Sequence, residues 1–223
     1  IGLVQLIYAL VLLIPLGALL RAVASPTNLL NAGRTTTAEL LRTVPLAGVA
    51  AAVTVKLAFV WAAMARRRYG WLVDLAVVLL LAVPAPLVGV GLIMTLNNDV
   101  LGGIYDSPLI LVFAWMLRSL PFAALILYPA VQRVPGSLHD AAKLEGAGFV
   151  RRLYGISAPL CWRGLACAWL VCLVLNLGEL GASFLVCPPG YPIVSVRFFT
   201  LIHFGVYADA AGLCLIVILV AML

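Results

Sequence analysis

Three charged side chains, Lys56, Arg118 and Glu179, stand inside apolar runs of this chain. Each would cost about 2.5–3.5 kcal/mol at the centre of a membrane helix. Each must therefore face the bundle interior, a water-filled path or an opposite charge. Arg118 lies about ten residues into one run and Glu179 about six residues from the outer end of another. At about 1.5 Å per residue an arginine side chain can cover that offset. Arg118 and Glu179 are expected to pair or to line a path for solute, with Asn176 adding a polar surface nearby. Lys56 is matched with Asp74. Catalysis fits poorly: no HExxH, GxSxG or GxxxxGK[ST] pattern occurs, and the only lysines are Lys56 and Lys143. His203 and Tyr191 do not form a metal-ligand set. Cys161, Cys167, Cys172, Cys187 and Cys214 lack metal-type spacing and read as small apolar fillers.

The elements that position these groups follow from composition. Hydrophobic residues make up 65% of the chain and charged residues 10%, with a mean hydropathy of +1.19. A soluble domain usually carries about 25% charged residues. The chain is predicted to be an all-α, multi-pass membrane helix bundle of about six spans, since each span needs about 20 apolar residues. The spans are placed near 2–21, 44–64, 71–96, 108–130, 162–185 and from 207 onward. Residues 22–42 read as a polar connection or short surface helix. Pro84, Pro86 and Pro121 are candidate kinks. The net charge of +6 reads as topology, not as nucleic-acid binding. Arg66, Arg67 and Arg68, then Arg133, Lys143, Arg151 and Arg152, place the loops after spans two and four in the cytoplasm. The chain begins at Ile1 without Met and ends inside an apolar run, so a fragment of a longer polypeptide is expected.

The loop at 131–159 reads VQRVPGSLHDAAKLEGAGFVRRLYGISAP. Pro135-Gly136 makes a turn, and Ser137 with Asp140 resembles a capping box. A short helix is predicted through Glu145, broken by Gly146 and Gly148. A second helical stretch over 149–157 leads to Pro159 in the first turn of span five. Ala141 and Ala142 carry almost no bulk, so this helix can press close to a partner and pass motion into two spans. His139 reads as a surface contact.

In that loop Asp140-Ala141-Ala142, three residues, Gly146, nine residues, Ile156, two residues and Pro159 resemble the EAA loop of binding-protein-dependent ABC importer permeases. Asp140 replaces the family's Glu and Ala158 its Leu, without change of spacing. The resemblance implies one membrane domain over 1–223, with its family-like core at about 41–223. It also implies that Asp140, Ala141, Ala142 and Gly146 dock in a cleft of the ATP-binding subunit, while Ile156 and Pro159 shape the return to the membrane. The implied partners are an ATP-binding subunit dimer that carries ATP and magnesium, an extracytoplasmic substrate-binding protein, a second permease half and the lipid of the bacterial inner membrane. The chain itself would hold no cofactor.

A second stretch, Gly178 to Gly205, contains Glu179-Leu180-Gly181-Ala182, Pro188-Pro189-Gly190 and Thr200-Leu201-Ile202-His203-Phe204-Gly205. It resembles the ferric iron branch of these permeases and implies ferric iron as cargo. Thiamine, phosphonate and polyamine permeases share the architecture. A secondary transporter driven by an ion gradient would account for the intramembrane charges but not for the Asp140–Pro159 pattern.

Overall fold

The computed structural model describes residues 2–23, 26–65 and 70–222. The basic run Arg66, Arg67 and Arg68 lies outside the described residues. Among these residues every regular element is a helix, because hydrocarbon leaves peptide groups no partners but their own. In chain order they are α1 (Gly2–Ala22), α2 (Pro26–Ala65), α3 (Gly70–Ala82), α4 (Ala85–Leu96), α5 (Gly102–Tyr105), α6 (Leu109–Gln132) and α7 (Gly136–Leu144). Then come α8 (Phe149–Arg152), a π-helical turn (Leu153–Ser157), α9 (Ala158–Leu160), α10 (Trp162–Leu177), α11 (Ser183–Val186), α12 (Val194–His203) and α13 (Tyr207–Met222).

The expected spans resolve unevenly. Thr36–Ala65 within α2 and Leu109–Gln132 are long and apolar enough to cross a membrane unbroken, and two bent pairs raise the number to four. Shorter apolar stretches occupy Leu13–Ala22, Val194–His203 and Tyr207–Ala221. Of the segment at 22–42, residues 26–42 are helical and belong to α2, with proline at the position where a missing N–H costs nothing. Span three breaks instead of kinking. Pro84 caps α4 and Pro86 sits in its first turn, leaving a 95° bend between α3 and α4. Pro121 does not break α6. Pro159 lies just before an 82° elbow, not in the span that follows it.

The chain forms two compact units, one of residues 44–191 and one of residues 1–43 with 192–223. In the first, α6 is central and packs on α10 and α3. Ala51, Val55, Ala58 and Ala62 recur on one face of α2 and meet Ala123, Leu127 and Val131 of α6 with Ala168 and Cys172 of α10. Small residues let these backbones approach closely. A Cβ on Gly164 of α10 would lie 3.1 Å from Ala130 Cβ of α6. In the second unit α13 packs on α1 and α12, around Val194, Leu201, Ala210 and Leu213. There the Val194 N–H donates to Thr43 Oγ1 at 3.1 Å, and the Thr43 hydroxyl donates to the Glu39 carbonyl at 2.7 Å.

Large apolar side chains such as Val49, Val53 and Leu57 of α2, Val78 and Leu79 of α3, and Leu170 and Val174 of α10 point outward. Water would penalise so continuous an apolar exterior, whereas lipid does not.

The α6–α10 approach is testable. Gly164→Leu should force the helices apart and destabilise the detergent-purified protein by about 1–3 kcal/mol. Gly91→Leu, where a Cβ meets nothing within 4 Å, should leave the melting temperature nearly unchanged. Equal melting of both variants would contradict this packing.

Candidate functional site

The segment between α6 and α10 is built on α7. Pro135, with φ −58° and ψ 132°, sets the helix entry, and no side chain caps it. Ser137 is therefore not the cap that its spacing from Asp140 suggested, since the helix begins one residue earlier. The far end is more exacting. Gly146 has φ +81°, a left-handed conformation that glycine adopts without a Cβ penalty. Its N–H bonds Lys143 O at 3.0 Å, and the Ala147 N–H bonds Ala142 O at 2.9 Å. This pair of bonds is a Schellman closure, which satisfies carbonyls that the helix end would orphan. Asp140, Ala141 and Gly146 are exposed and Ala142 is half-buried. Leu144, at 91% exposure, stands almost fully free of the chain. The helix thus presents a short face of low bulk flanked by an apolar side chain.

The return path is anchored inward. Leu153 and Cys161 join the α2–α6–α10 core, and Ile156 and Ala158 pack against it. Pro159 is exposed at the elbow. The Cys161 thiol donates to Ala130 O at 3.4 Å. Ser157, only 2% exposed, bonds His139 Nε2 through its hydroxyl at 3.1 Å. His139 is therefore a tie between α7 and the π-turn, not the surface contact its position suggested. No sequence pattern links residues 18 apart in this way.

The intramembrane groups are also rearranged. Arg118 and Glu179 make no ion pair. Arg118 Nη1 donates to Val83 O at 3.1 Å, the carbonyl at the α3–α4 break. The Glu179 carboxylate turns back on its own chain and accepts the N–H groups of Ala182 at 2.8 Å and Ser183 at 2.9 Å, together with the Ser183 hydroxyl. Trp115 Nε1 of α6 donates to Ser183 Oγ at 2.8 Å. Ser183 and Trp115 were missed by sequence reasoning; a serine four residues after an acid at a helix end was the available signal. Asn176 is buried, and its amide donates to Ala47 O at 3.3 Å, tying α10 to α2. Lys56 and Asp74 are both exposed and do not pair. In the following loop, burial raises the Cys187 thiol above its ordinary pKa, and its S–H donates to Tyr191 O at 3.2 Å. The His203 ring stacks on Phe199 with centroids 5.9 Å apart.

Two measurements check this geometry. Gly146→Ala should cost about 1 kcal/mol locally, so amide exchange at positions 146 and 147 should quicken roughly fivefold. Glu179→Ala should cost about 1.5–3 kcal/mol by orphaning donors bonded to a charged acceptor, and Trp115 fluorescence should shift. An unchanged melting curve and spectrum would remove Glu179 from this role.

The chain matches the family described as binding-protein-dependent transport system inner membrane component over residues 54–223. It is 27% identical over 187 residues to a Salmonella typhimurium protein provisionally named a 2-aminoethylphosphonate transport system permease, PhnV, covering 79% of this chain and 68% of that one. It is 24% identical over 112 residues to the spermidine/putrescine transport system permease protein PotC of Escherichia coli K12, covering 50% and 42%. A shorter match, 38% over 74 residues, covers 33% of this chain and 32% of an ABC transporter permease protein, ORF1, of Streptomyces antibioticus. These names do not single out iron, which the resemblance of Gly178 to Gly205 had implied. The matched region holds all of α7, its glycine closure and its anchored return, and the apolar helices around them make a multi-pass inner-membrane protein: this chain belongs to the family of binding-protein-dependent transport system inner membrane components.

Proposed function

We propose that this chain is one permease half of an ABC importer, a single membrane domain whose α7 docks on a separate ATP-binding subunit and whose cargo is an organophosphonate anion. The coupling reading is carried by α7 itself. Its low-bulk face, Asp140, Ala141 and Ala142, is closed by Gly146, and its return is fixed to the core through Leu153, Ile156 and Cys161. A push on that face reaches α6 through Val131 and Val134 and reaches α10 through the elbow at Pro159. ATP and magnesium belong to the ATP-binding dimer, and a second permease half completes the path. An external binding protein delivers cargo to the outer side, and ATP-driven closure of the dimer re-orients the spans.

Charge supports the cargo class. Glu179, the acid in mid-run, has its oxygens taken by Ala182 and Ser183. Lys56 is exposed, and Arg118 commits one N–H of its five donors to Val83. Of the three charges set in mid-run, the two cations therefore keep donors unspent, while exposed Asp74 lies near the start of α3; this balance favours an anion over a polyamine or a ferric ion. The similarity to a permease named for 2-aminoethylphosphonate points the same way.

Two experiments test the reading. Co-purification from native cells should bring an ATP-binding subunit with the chain. Ala141→Trp, which adds bulk to the docking face, should release it while the permease stays folded. In proteoliposomes holding the whole assembly, 2-aminoethylphosphonate with its binding protein should stimulate ATP hydrolysis. Lys56→Glu should cut uptake at least tenfold and Lys56→Arg should retain it. Stimulation by spermidine or by a ferric complex instead would replace the cargo, and gradient-driven uptake without any ATPase would replace the importer.

A further inference from the structure

A cavity of about 350 Å³ lies between α7, the ends of α2 and α6, and the returning segment. The last turn of α2 supplies Met64, the end of α6 supplies Val131, and the returning segment supplies Phe149, Arg152 and Ser157, with His139 from α7. The walls are mainly apolar. His139 and Ser157 are bonded to each other. Arg152 is different, because its Nε is buried and has no hydrogen-bond partner. A buried guanidinium N–H without an acceptor is costly, and an anion removes the cost.

The surroundings identify the anion. Met64 stands at the end of the apolar span Thr36–Ala65, so the cavity opens where hydrocarbon gives way to headgroups. Exposed Met64, Phe149, Val150 and Tyr154 supply an apolar surface beside it. Exposed Arg133 and Arg151 add positive charge, and three further arginines, Arg66, Arg67 and Arg68, follow α2 in sequence. An apolar cleft lined by a guanidinium whose Nε is unmet, with a basic approach, suits a phosphodiester that carries acyl chains, and basic pockets between helix ends bind such headgroups. A free phosphate would make no use of the apolar walls.

We propose that this cavity is a site for one anionic phospholipid of the cytoplasmic leaflet, whose phosphate is held by Arg152 and whose chains lie against Met64, Phe149 and Val150. The lipid wedges α7 against the ends of α2 and α6. Its effect on coupling rests on the docking role proposed above, whereas its binding does not.

The test uses the full chain in mild detergent, without any partner. Native mass spectrometry should show one phosphatidylglycerol retained at least tenfold more strongly than phosphatidylcholine. Thermal unfolding should shift upward with phosphatidylglycerol alone. Arg152→Gln should abolish the preference and Arg133→Gln should keep it. Ala63→Leu, which fills the cavity from α2 without removing charge, should also expel the lipid, so a folding defect of the arginine variant does not decide the matter. Equal retention of both lipids, or an undiminished preference in Arg152→Gln, overturns the proposal. Stabilisation by inorganic phosphate equal to that by lipid would make the site one for a free anion. Loss of ATP-binding subunit without loss of lipid in Arg152→Gln would make it a protein contact. A retained lipid with no effect of α7 variants on the ATPase would leave the site standing and count against the coupling reading alone.

Discussion

Every peptide group inside hydrocarbon must find its hydrogen bond within the protein, and that requirement governs where this chain can interrupt its helices. Three interruptions fall in or near apolar runs; two are met by a side chain of the right sign and the third keeps its own backbone bond. At Val83–Pro84 the freed carbonyl receives a guanidinium N–H from Arg118. Past Leu177 the freed N–H groups of Ala182 and Ser183 meet the Glu179 carboxylate. At the elbow the Cys161 N–H still reaches Ser157 O at 2.9 Å, and its thiol reaches Ala130 O. A carboxylate can only accept and a guanidinium can only donate. Arg118 and Glu179 therefore each serve the end of a broken helix, and neither needs the other.

Close approach follows from the same economy of polar groups. Without water to drive helices together, contact relies on small residues and short hydrogen bonds. Gly181 shows how little room is left: a Cβ there would fall 2.7 Å from Ala85 Cβ and 3.5 Å from Glu179 Oε1. The carboxylate cage, the tight turn and the start of α4 thus occupy one space. Such packing makes the 44–191 unit stiff around α6, and stiffness is what lets an element at its edge act on the whole.

The sequence disclosed the helical class, the two unbroken spans and α7 because these rest on local signals: long apolar runs, small residues and a glycine where a helix must stop. It misled where tertiary partners decide. Depth alone paired Arg118 with Glu179, since burial cost was visible and the competing backbone groups were not. Span three looked continuous because Pro84 is tolerated or fatal according to whether the carbonyls it frees find a donor, and that donor lies 35 residues away. His139 looked superficial because its partner, Ser157, comes beside it only through the turn at Gly146. The cargo resemblance rested on Gly178–Gly205, a stretch of short helices and turns, and the relatives' names do not single out iron.

The spacing of the loop motif has a mechanical explanation in this chain. In a Schellman closure the third residue from the helix end and the left-handed glycine are always four apart, which fixes Ala142 relative to Gly146. Gly148, extended at ψ 170°, then restarts the chain in a new direction, and one helical turn brings Leu153 to the core. An ordinary turn would next rotate the following side chains outward. The π-turn over Leu153–Ser157 takes one more residue per hydrogen-bonded loop, and Ile156 and Ser157 meet the core and His139 instead. Pro159 follows at the elbow, where its missing N–H falls in the first turn of α9. Insertion or loss of a single residue between Gly146 and Ile156 would carry Ser157 away from His139 and Ile156 away from the core, leaving α7 attached by flexible chain at one end. The constraint on length is therefore as strict as the constraint on residue type, and substitution of Asp140 or Ala158 for the family's residues leaves it intact.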